Sequence, residues 1–282
     1  MSRIVYLNGE YVAEEDAKIS IFDRAFLFAD GIYEVTAVIN GKMVDFEPHM
    51  ARLHRSLGEL GMAQPVSDAD LKAMHLELIS RNSLNEGLIY MQITRGVAER
   101  DFGYPENARQ TVVGFTQAKE LIDPPLAKTG ISIITVPDIR WQRRDIKTTG
   151  MLAQAMAKEA AKRAGANDAW MVEDGFVTEG TSNTAFIVLD DDILVTRPLS
   201  NQILPGITRR AIMTLAEKGD ITVEERPFTV DEAKAACEAF LTSASSFVTP
   251  VVEIDGARIG GGQPGPVTRK LREIYVSAAR NG

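Results

Sequence analysis

An α+β chain in two parts is what this sequence predicts, on three observations. Asn8-Gly9 and Asn40-Gly41 each separate two runs of β-branched and apolar residues, so the opening of the chain reads as antiparallel hairpins. Two helical patterns then follow one another directly. Beyond residue 130, strands and helices mix without a strict βαβ alternation.

The hairpins cover 4–12 and 32–46. Pro48 opens a helix that Gly61 closes after Leu60, and Ser67 with Asp70 forms a capping box for a second helix ending near Asn82. Strands are expected over 88–94 and 111–116. Between them, Arg95 to Pro105 suits neither element, and long loops of this kind tend to carry function. Pro124-Pro125 marks a linker over 121–130, which gives an N-terminal α+β domain at 1–120 and a second domain at 131–282.

The second part opens with a buried strand over 131–136, then a turn holding Asp145-Ile146-Lys147-Thr148-Thr149-Gly150. A helix follows over 151–163, with Met151, Leu152, Ala155, Met156 and Ala160 as its apolar face, and Gly165 stops it. Asp174-Gly175 turns a strand at 169–172 into one at 176–178. Asp190-Asp191-Asp192 separates strands at 184–189 and 193–196, and reads as a solvated turn rather than a metal site. Helices over 206–218, 231–236 and 267–279, strands over 222–226, 240–241 and 248–252, and a turn at Asp255-Gly256 complete the chain.

Composition bounds the function. Apolar residues make up 45% and charged residues 25%, the balance of a soluble globular protein, and the net charge of -8 argues against nucleic acid as a partner. Cys237 is the single cysteine, so no internal disulfide can form and a reducing cytoplasm is the expected compartment. It falls in an alanine-rich helix, where a buried apolar role is expected. The N-terminus passes straight into a strand pattern, and no apolar run approaches the ~18 residues that span a bilayer. There is no P-loop, no G-x-S-x-G elbow and no dinucleotide fingerprint at Gly260-Gly261-Gly262. His49 and His54, five apart, share no helix face and lack metal-ligand spacing.

Three features are left. Lys147 precedes a helix; Glu179 ends a strand within Val177-Thr178-Glu179-Gly180-Thr181-Ser182-Asn183; and Leu204-Pro205-Gly206-Ile207-Thr208-Arg209 feeds a helix N-terminus of the kind that binds phosphate. An amine, a carboxylate and a phosphate cradle are what a pyridoxal phosphate enzyme must supply. Taken singly, they equally describe a surface lysine, an edge-strand glutamate and an ordinary helix start.

In order and spacing, Asp145-Ile146-Lys147, Thr178-Glu179-Gly180, Leu204 to Arg209 and Val248-Thr249-Pro250-Val251 resemble the fold-type IV pyridoxal phosphate aminotransferases, and the likeness runs from Tyr6-Leu7-Asn8-Gly9 to the last helix. Phe22-Asp23-Arg24-Ala25-Phe26, Asp30-Gly31-Ile32-Tyr33-Glu34-Val35 and Thr94-Arg95-Gly96 leading to Arg100 look most like the D-amino acid branch of that family. The resemblance implies a two-domain architecture: a small α+β domain, then a larger cofactor-binding domain built on a mixed sheet-barrel with helices. It implies pyridoxal 5'-phosphate as cofactor, held by Lys147 as a Schiff base. Lys147 would also carry the proton as the amino group passes from a D-amino acid to a 2-oxo acid through a pyridoxamine form. Glu179 would pair with the ring nitrogen and Leu204 pack on the ring. Arg52, the N–H groups of Ile207 and Thr208, and Ser243 with Ala244 would hold the phosphate. Tyr33 would line the site, and Arg100 would bind the substrate carboxylate from the neighbouring subunit of a homodimer.

Two departures from the D-amino acid pattern bear on substrate: Phe102 stands where that branch usually has histidine, and Ala37 where it often has a basic residue. At the phosphate, Ala244 replaces a hydroxyl residue, with Ser245 beside it. The alternatives are an (R)-selective amine transaminase, a branched-chain-type aminotransferase, a lyase acting on aminodeoxychorismate, and a binding protein that keeps the scaffold without the activity.

Overall fold

Four tight turns set the local architecture. At Asn8-Gly9, Asn40-Gly41, Asp174-Gly175 and Asp255-Gly256 both residues take positive φ (52° and 105°, 52° and 73°, 53° and 83°, 49° and 79°). Asn, Asp and Gly tolerate that region, and two such residues in succession match the twist of the flanking strands. The computed structural model describes residues 2–219 and 221–281. They divide into two units, the first made of residues up to 120 together with 146–150, the second of the remainder.

In the first unit, β1 (Ile4–Leu7) and β2 (Glu10–Ala13) form a hairpin, followed by a short α1 (Arg24–Phe28). Then come β3 (Gly31–Ile39), β4 (Lys42–Met43), α2 (Phe46–Glu59), α3 (Asp68–Arg81), β5 (Glu86–Thr94) and β6 (Val112–Ala118). The sheet order is β2-β1-β6-β5-β3-β4, with every pairing antiparallel. Alternate residues of a strand face opposite sides. Ile32 and Val38 of β3 and Ile89, Met91 and Ile93 of β5 therefore join one core with Met50 and Leu53 of α2 and Leu71, Met74 and Leu78 of α3. Tyr33 points to the other side, where Tyr33, Tyr90 and Phe115 stack with ring centroids 5.4 and 4.8 Å apart. Helix α2 begins at Phe46, ahead of Pro48, because the first turn of a helix has no use for the N–H that proline lacks. Ser67 caps α3 as its capping box predicts, with Oγ accepting from Asp70 N–H at 3.2 Å.

The second unit opens with α4 (Pro125–Thr129), then β7 (Ile131–Pro137), α5 (Leu152–Arg163), β8 (Asp168–Glu173), β9 (Phe176–Gly180), β10 (Thr184–Val188) and β11 (Leu194–Thr196). It continues through α6 (Ile207–Lys218), β12 (Val223–Glu225), α7 (Val230–Ala235), β13 (Glu238–Ser243), β14 (Phe247–Ile254), β15 (Ala257–Arg258) and α8 (Pro266–Asn281). Its mixed sheet has the order β12-β11-β10-β13-β14-β7-β8-β9, with β15 on β14. β11–β12, β14–β7 and β7–β8 are parallel. β9 and β10 lie well apart in that order, yet only residues 181–183 join them and Gly180 N–H donates to Asn183 O at 2.8 Å. A flat sheet cannot satisfy both conditions, so this one curls. Trp170, Val177, Ile187, Phe228 and Leu241 fill its core.

Three expectations are corrected. Residues 121–130 are not a bare linker: Pro125 occupies the start of α4, where proline favours a helix, and Arg272 of α8 donates to Leu121 O and Ile122 O at 2.7 and 2.9 Å. Helix α5 buries Ala157 and Ala161 against Ala169 and Met171 of β8, while Leu152 and Met156 stand 74% and 54% exposed. Small side chains let the helix lie close to the sheet, and that choice of face overrides the bulkier stripe. Cys237 follows α7 and is exposed, donating to Asp190 Oδ1 at 3.2 Å. The hydrogen bond and the negative charge of Asp190 raise its thiol pKa, so it is a poor nucleophile.

Among the described residues no helix is long and apolar enough to cross a membrane, and no His, Cys, Asp and Glu cluster could hold a metal ion. Glu238 is buried with its two oxygens on Val267 N–H and Thr268 N–H (2.9 and 2.8 Å), capping α8. Glu238→Ala removes both acceptors from a buried helix start and is expected to cost about 2 kcal/mol. Thermal melting would read this as a midpoint about 5 °C lower; an unchanged midpoint would refute the capping role.

Candidate active site

Lys147 lies in the chain between β7 and α5, yet residues 146–150 belong to the first unit. Ile146 is buried in that unit's core. Tyr33 N–H donates to Lys147 O and Thr149 N–H to Gly31 O, both at 3.0 Å, and Ile32 bridges Thr148. The segment is thus laid along β3. Lys147 itself is half-buried, with Nζ 4.2 Å from the centroid of the Tyr33 ring, a cation–π contact that turns the amine toward the sheet face. The structure brings these two sequence-predicted residues together.

Arg52 on α2 reaches the inner face of β3. Its Nε and Nη2 donate to the two oxygens of Glu34 at 2.8 and 2.7 Å, and His49 Nδ1 lies 2.7 Å from Glu34 Oε2. All three side chains are buried. Burial pushes the Glu34 carboxyl up, but the charge and hydrogen bonds of Arg52, seconded by His49, outweigh it and hold Glu34 well below the usual carboxylate range. Arg100 sits on the long loop between β5 and β6, exposed, with its guanidinium 5.5 Å from the Phe28 ring and 5.7 Å from the Phe102 ring.

In the second unit, β9 delivers Glu179 into a buried network. Arg140 bonds Glu179 Oε1 and pairs with Asp138, Nη2 to Oδ2, at 2.6 Å. Thr178 Oγ1 donates to Asp138 Oδ2 at 2.6 Å. Leu204 N–H donates to Glu179 Oε2 at 3.1 Å, which joins two more of the sequence-predicted residues. Burial raises the Glu179 pKa, and the Arg140 charge and the Leu204 N–H only partly offset it. Its loop is rigidly set: Asp168 accepts from Thr181 Oγ1 and Asn183 Nδ2 at 2.7 and 3.2 Å, and a Cβ on Gly180 would fall 2.1 Å from Asn183 Oδ1.

Ile207 and Thr208 start α6, and Gly206 before them gives no side-chain cap, so their first-turn N–H groups are left for an anion. Arg209 is buried and occupied elsewhere, with Nη2 on Arg197 O and Glu225 Oε2 at 3.1 and 2.6 Å. At the β13–β14 turn, Ser243 Oγ lies 2.8 Å from Ser246 Oγ and 3.2 Å from Ser245 Oγ, while Ala244 offers only its backbone. Hydroxyls and an uncapped helix start suit a phosphate, and the buried Glu179 suits a ring nitrogen that bears a proton.

Sequence reasoning missed Arg140, Asp138, His49 and the partnership of Glu34 with Arg52. A signal for Arg140 existed: Asp138 and Arg140, two apart just past a strand end, are a charge pair with no exposed helix to carry it. Glu34 was likewise a lone charge within the apolar run of β3.

Residues 31–254 match the amino-transferase class IV family. A D-alanine aminotransferase of Staphylococcus aureus is 40% identical over 272 residues, 96% of each chain, and one from Bacillus licheniformis is 37% identical over 268 residues, 95% of this chain and 94% of its own. Among solved structures, a T.th. branched-chain amino acid aminotransferase complexed with N-(5'-phosphopyridoxyl)-L-glutamate superposes with a TM-score of 0.91 at 26% identity, over 100% of this chain and 95% of that one. The branched-chain aminotransferase of Thermoproteus uzoniensis with norvaline gives 0.86 at 28%, over 100% and 96%. A match of this extent settles the family: the chain belongs to the class IV aminotransferases.

Proposed function

We propose that the protein is a pyridoxal 5'-phosphate-dependent D-amino acid transaminase that passes an amino group to a 2-oxo acid. The observation that carries this reading is the 40% identity with a D-alanine aminotransferase over nearly the whole chain. The local chemistry supports it. Bound, the cofactor supplies an electron-accepting ring. Lys147 Nζ would hold it covalently and carry the proton at the substrate Cα. The carboxylate of Glu179, poised by Arg140, takes the ring N–H as its partner. The first-turn N–H groups of Ile207 and Thr208, with Ser243, the backbone of Ala244 and Arg52, would hold the phosphate, and Leu204 would pack on the ring. Tyr33 orients Lys147, and Arg100 binds the α-carboxylate of the substrate in a homodimer. The cytoplasm is the proposed compartment. A second reading, an (R)-selective amine transaminase, draws on Phe102 and Ala37, which remove two polar groups from the expected carboxylate site.

Lys147→Ala is expected to abolish turnover and the visible absorption band of the cofactor-loaded protein, and borohydride reduction followed by peptide mapping should place the cofactor on Lys147. A label on another lysine would overturn the assignment. D-alanine with 2-oxoglutarate should turn over and L-alanine should not. Turnover of (R)-1-phenylethylamine alone would favour the second reading. Arg52→Met leaves Glu34 buried beside His49 alone, at an expected cost of about 3–5 kcal/mol. In the parent protein the depressed Glu34 pKa stabilises the fold above the ordinary carboxylate range and this contribution fades as pH falls through it. Without Arg52 the sign reverses, because the buried carboxyl then gains from taking a proton. Denaturant melts should therefore show a smaller deficit at pH 5 than at pH 7.5; equal deficits would mean that Glu34 is not the group left unpaired.

A further inference from the structure

The loop that carries Arg100 is tied down by an unusual charge arrangement. Asp30, just before β3, accepts with a single oxygen from two arginines: Oδ2 lies 2.8 Å from Arg24 Nε and 2.7 Å from Arg95 Nε. All three side chains are more than nine-tenths buried. Arg24 gives Nη1 to the carbonyls of Asp101 at 2.6 Å and Gly103 at 3.2 Å, which flank Phe102 just beyond Arg100. Arg95 turns Nη2 to Leu60 O at 2.8 Å, at the end of α2. Tyr104 lies over both guanidinium groups, its ring centroid 3.6 Å from Arg95 Cζ and 5.7 Å from Arg24 Cζ. Gly103 N–H donates to Asp101 Oδ1 at 3.0 Å and closes the turn. Arg100, by contrast, makes no hydrogen bond or ion pair among the described residues and touches only aromatic rings.

Two buried cations on one carboxylate leave a positive charge to be balanced, and a buried charge without partners is costly. Leu60 O and the Phe28 ring, 4.8 Å from Arg24 Cζ, supply part of the balance, and the loop supplies the rest. The carbonyls at 101 and 103 and the π face of Tyr104 are where the second charge rests. If the loop lifts, Arg24 and Arg95 lose those partners together. Docking of residues 101–104 is thus coupled to full compensation of the arginine pair.

We propose that Arg24, Asp30, Arg95 and Tyr104 form a lock that sets the course of residues 101–104 and thereby presents the unpaired Arg100 guanidinium to a carboxylate-bearing substrate. They are positioning residues for substrate, acting through Arg100, and have no part in holding the cofactor. The proposal rests on the reading of Arg100 as the carboxylate-binding residue.

The test uses the cofactor-loaded protein and two variants, one at an exposed ring and one that keeps a cation at its buried position. Tyr104→Ala removes an exposed ring, and Arg24→Lys keeps a charge beside Asp30 but cannot span to both loop carbonyls. Amide hydrogen exchange of residues 97–104 should quicken several-fold in both. The KM for D-alanine should rise about tenfold with kcat within about twofold of the parent, the cofactor absorption should not change, and Tyr104→Phe should restore both exchange and KM. Unchanged exchange and KM in both variants overturns the lock, as does a fall in kcat with loss of the cofactor band, which would mark a general structural role. Arg100→Ala separates the two claims. If it leaves KM unaltered while the lock variants still quicken exchange, the carboxylate reading of Arg100 fails and the lock on the loop does not.

Discussion

Tyr33 N–H to Lys147 O and Thr149 N–H to Gly31 O are two ordinary backbone hydrogen bonds, but they decide where Lys147 lies. They draw five residues out of the middle of the second unit's sequence and lay them on β3, a strand paired along its whole length by β5. A lysine held that way inherits the rigidity of a sheet. A loop lysine would sample many rotamers and pay for each ordered contact in lost entropy. The Tyr33–Tyr90–Phe115 stack on the same sheet extends the support, because Tyr33 cannot tilt away from Lys147 without disturbing the ring beneath it.

Two buried glutamates show how environment assigns opposite roles to one side chain. Glu34 has a bidentate arginine and a histidine, and its pKa is pulled far down. It is a permanent anion whose work is to hold Arg52 and α2 on the sheet. Glu179 has Arg140 on one oxygen and a single backbone N–H on the other, and Arg140 is shared with Asp138. Compensation is incomplete, so the pKa stays raised. A carboxyl in that condition gains from a proton-bearing partner, as a ring nitrogen would be.

The features legible in the sequence were those with local causes. The hairpins at Asn8-Gly9, Asn40-Gly41, Asp174-Gly175 and Asp255-Gly256, and the Ser67 cap, follow from a few neighbouring residues and appear where the pattern puts them. What escaped depends on distant partners. The face of α5 was misjudged because Leu152 and Met156 outweigh alanine in any hydrophobic pattern, whereas the sheet beneath selects for closeness. Arg140 escaped because its partner Glu179 lies 39 positions away. The membership of residues 146–150 in the first unit has no local signal at all, since it arises from strand pairing with residues over a hundred positions earlier. Lys147, Glu179 and the Leu204–Arg209 segment stand out by their positions in the sequence, but their roles come only from family likeness. Their residue types alone also describe ordinary surface groups.

The position of β7 in its sheet has a consequence for synthesis. This strand is the first of the second unit to emerge from the ribosome, yet one of its two neighbours is β14, with Ile131 beside Val251. Until that late segment leaves the exit tunnel, the backbone N–H and C=O groups along one edge of β7 have no strand to pair with, and parallel pairings of such long range form slowly. The strands of the first sheet, complete by Ala118, face no such delay. The second sheet can therefore close only after β14 has been made, whereas the first is built from strands that are all in hand much earlier.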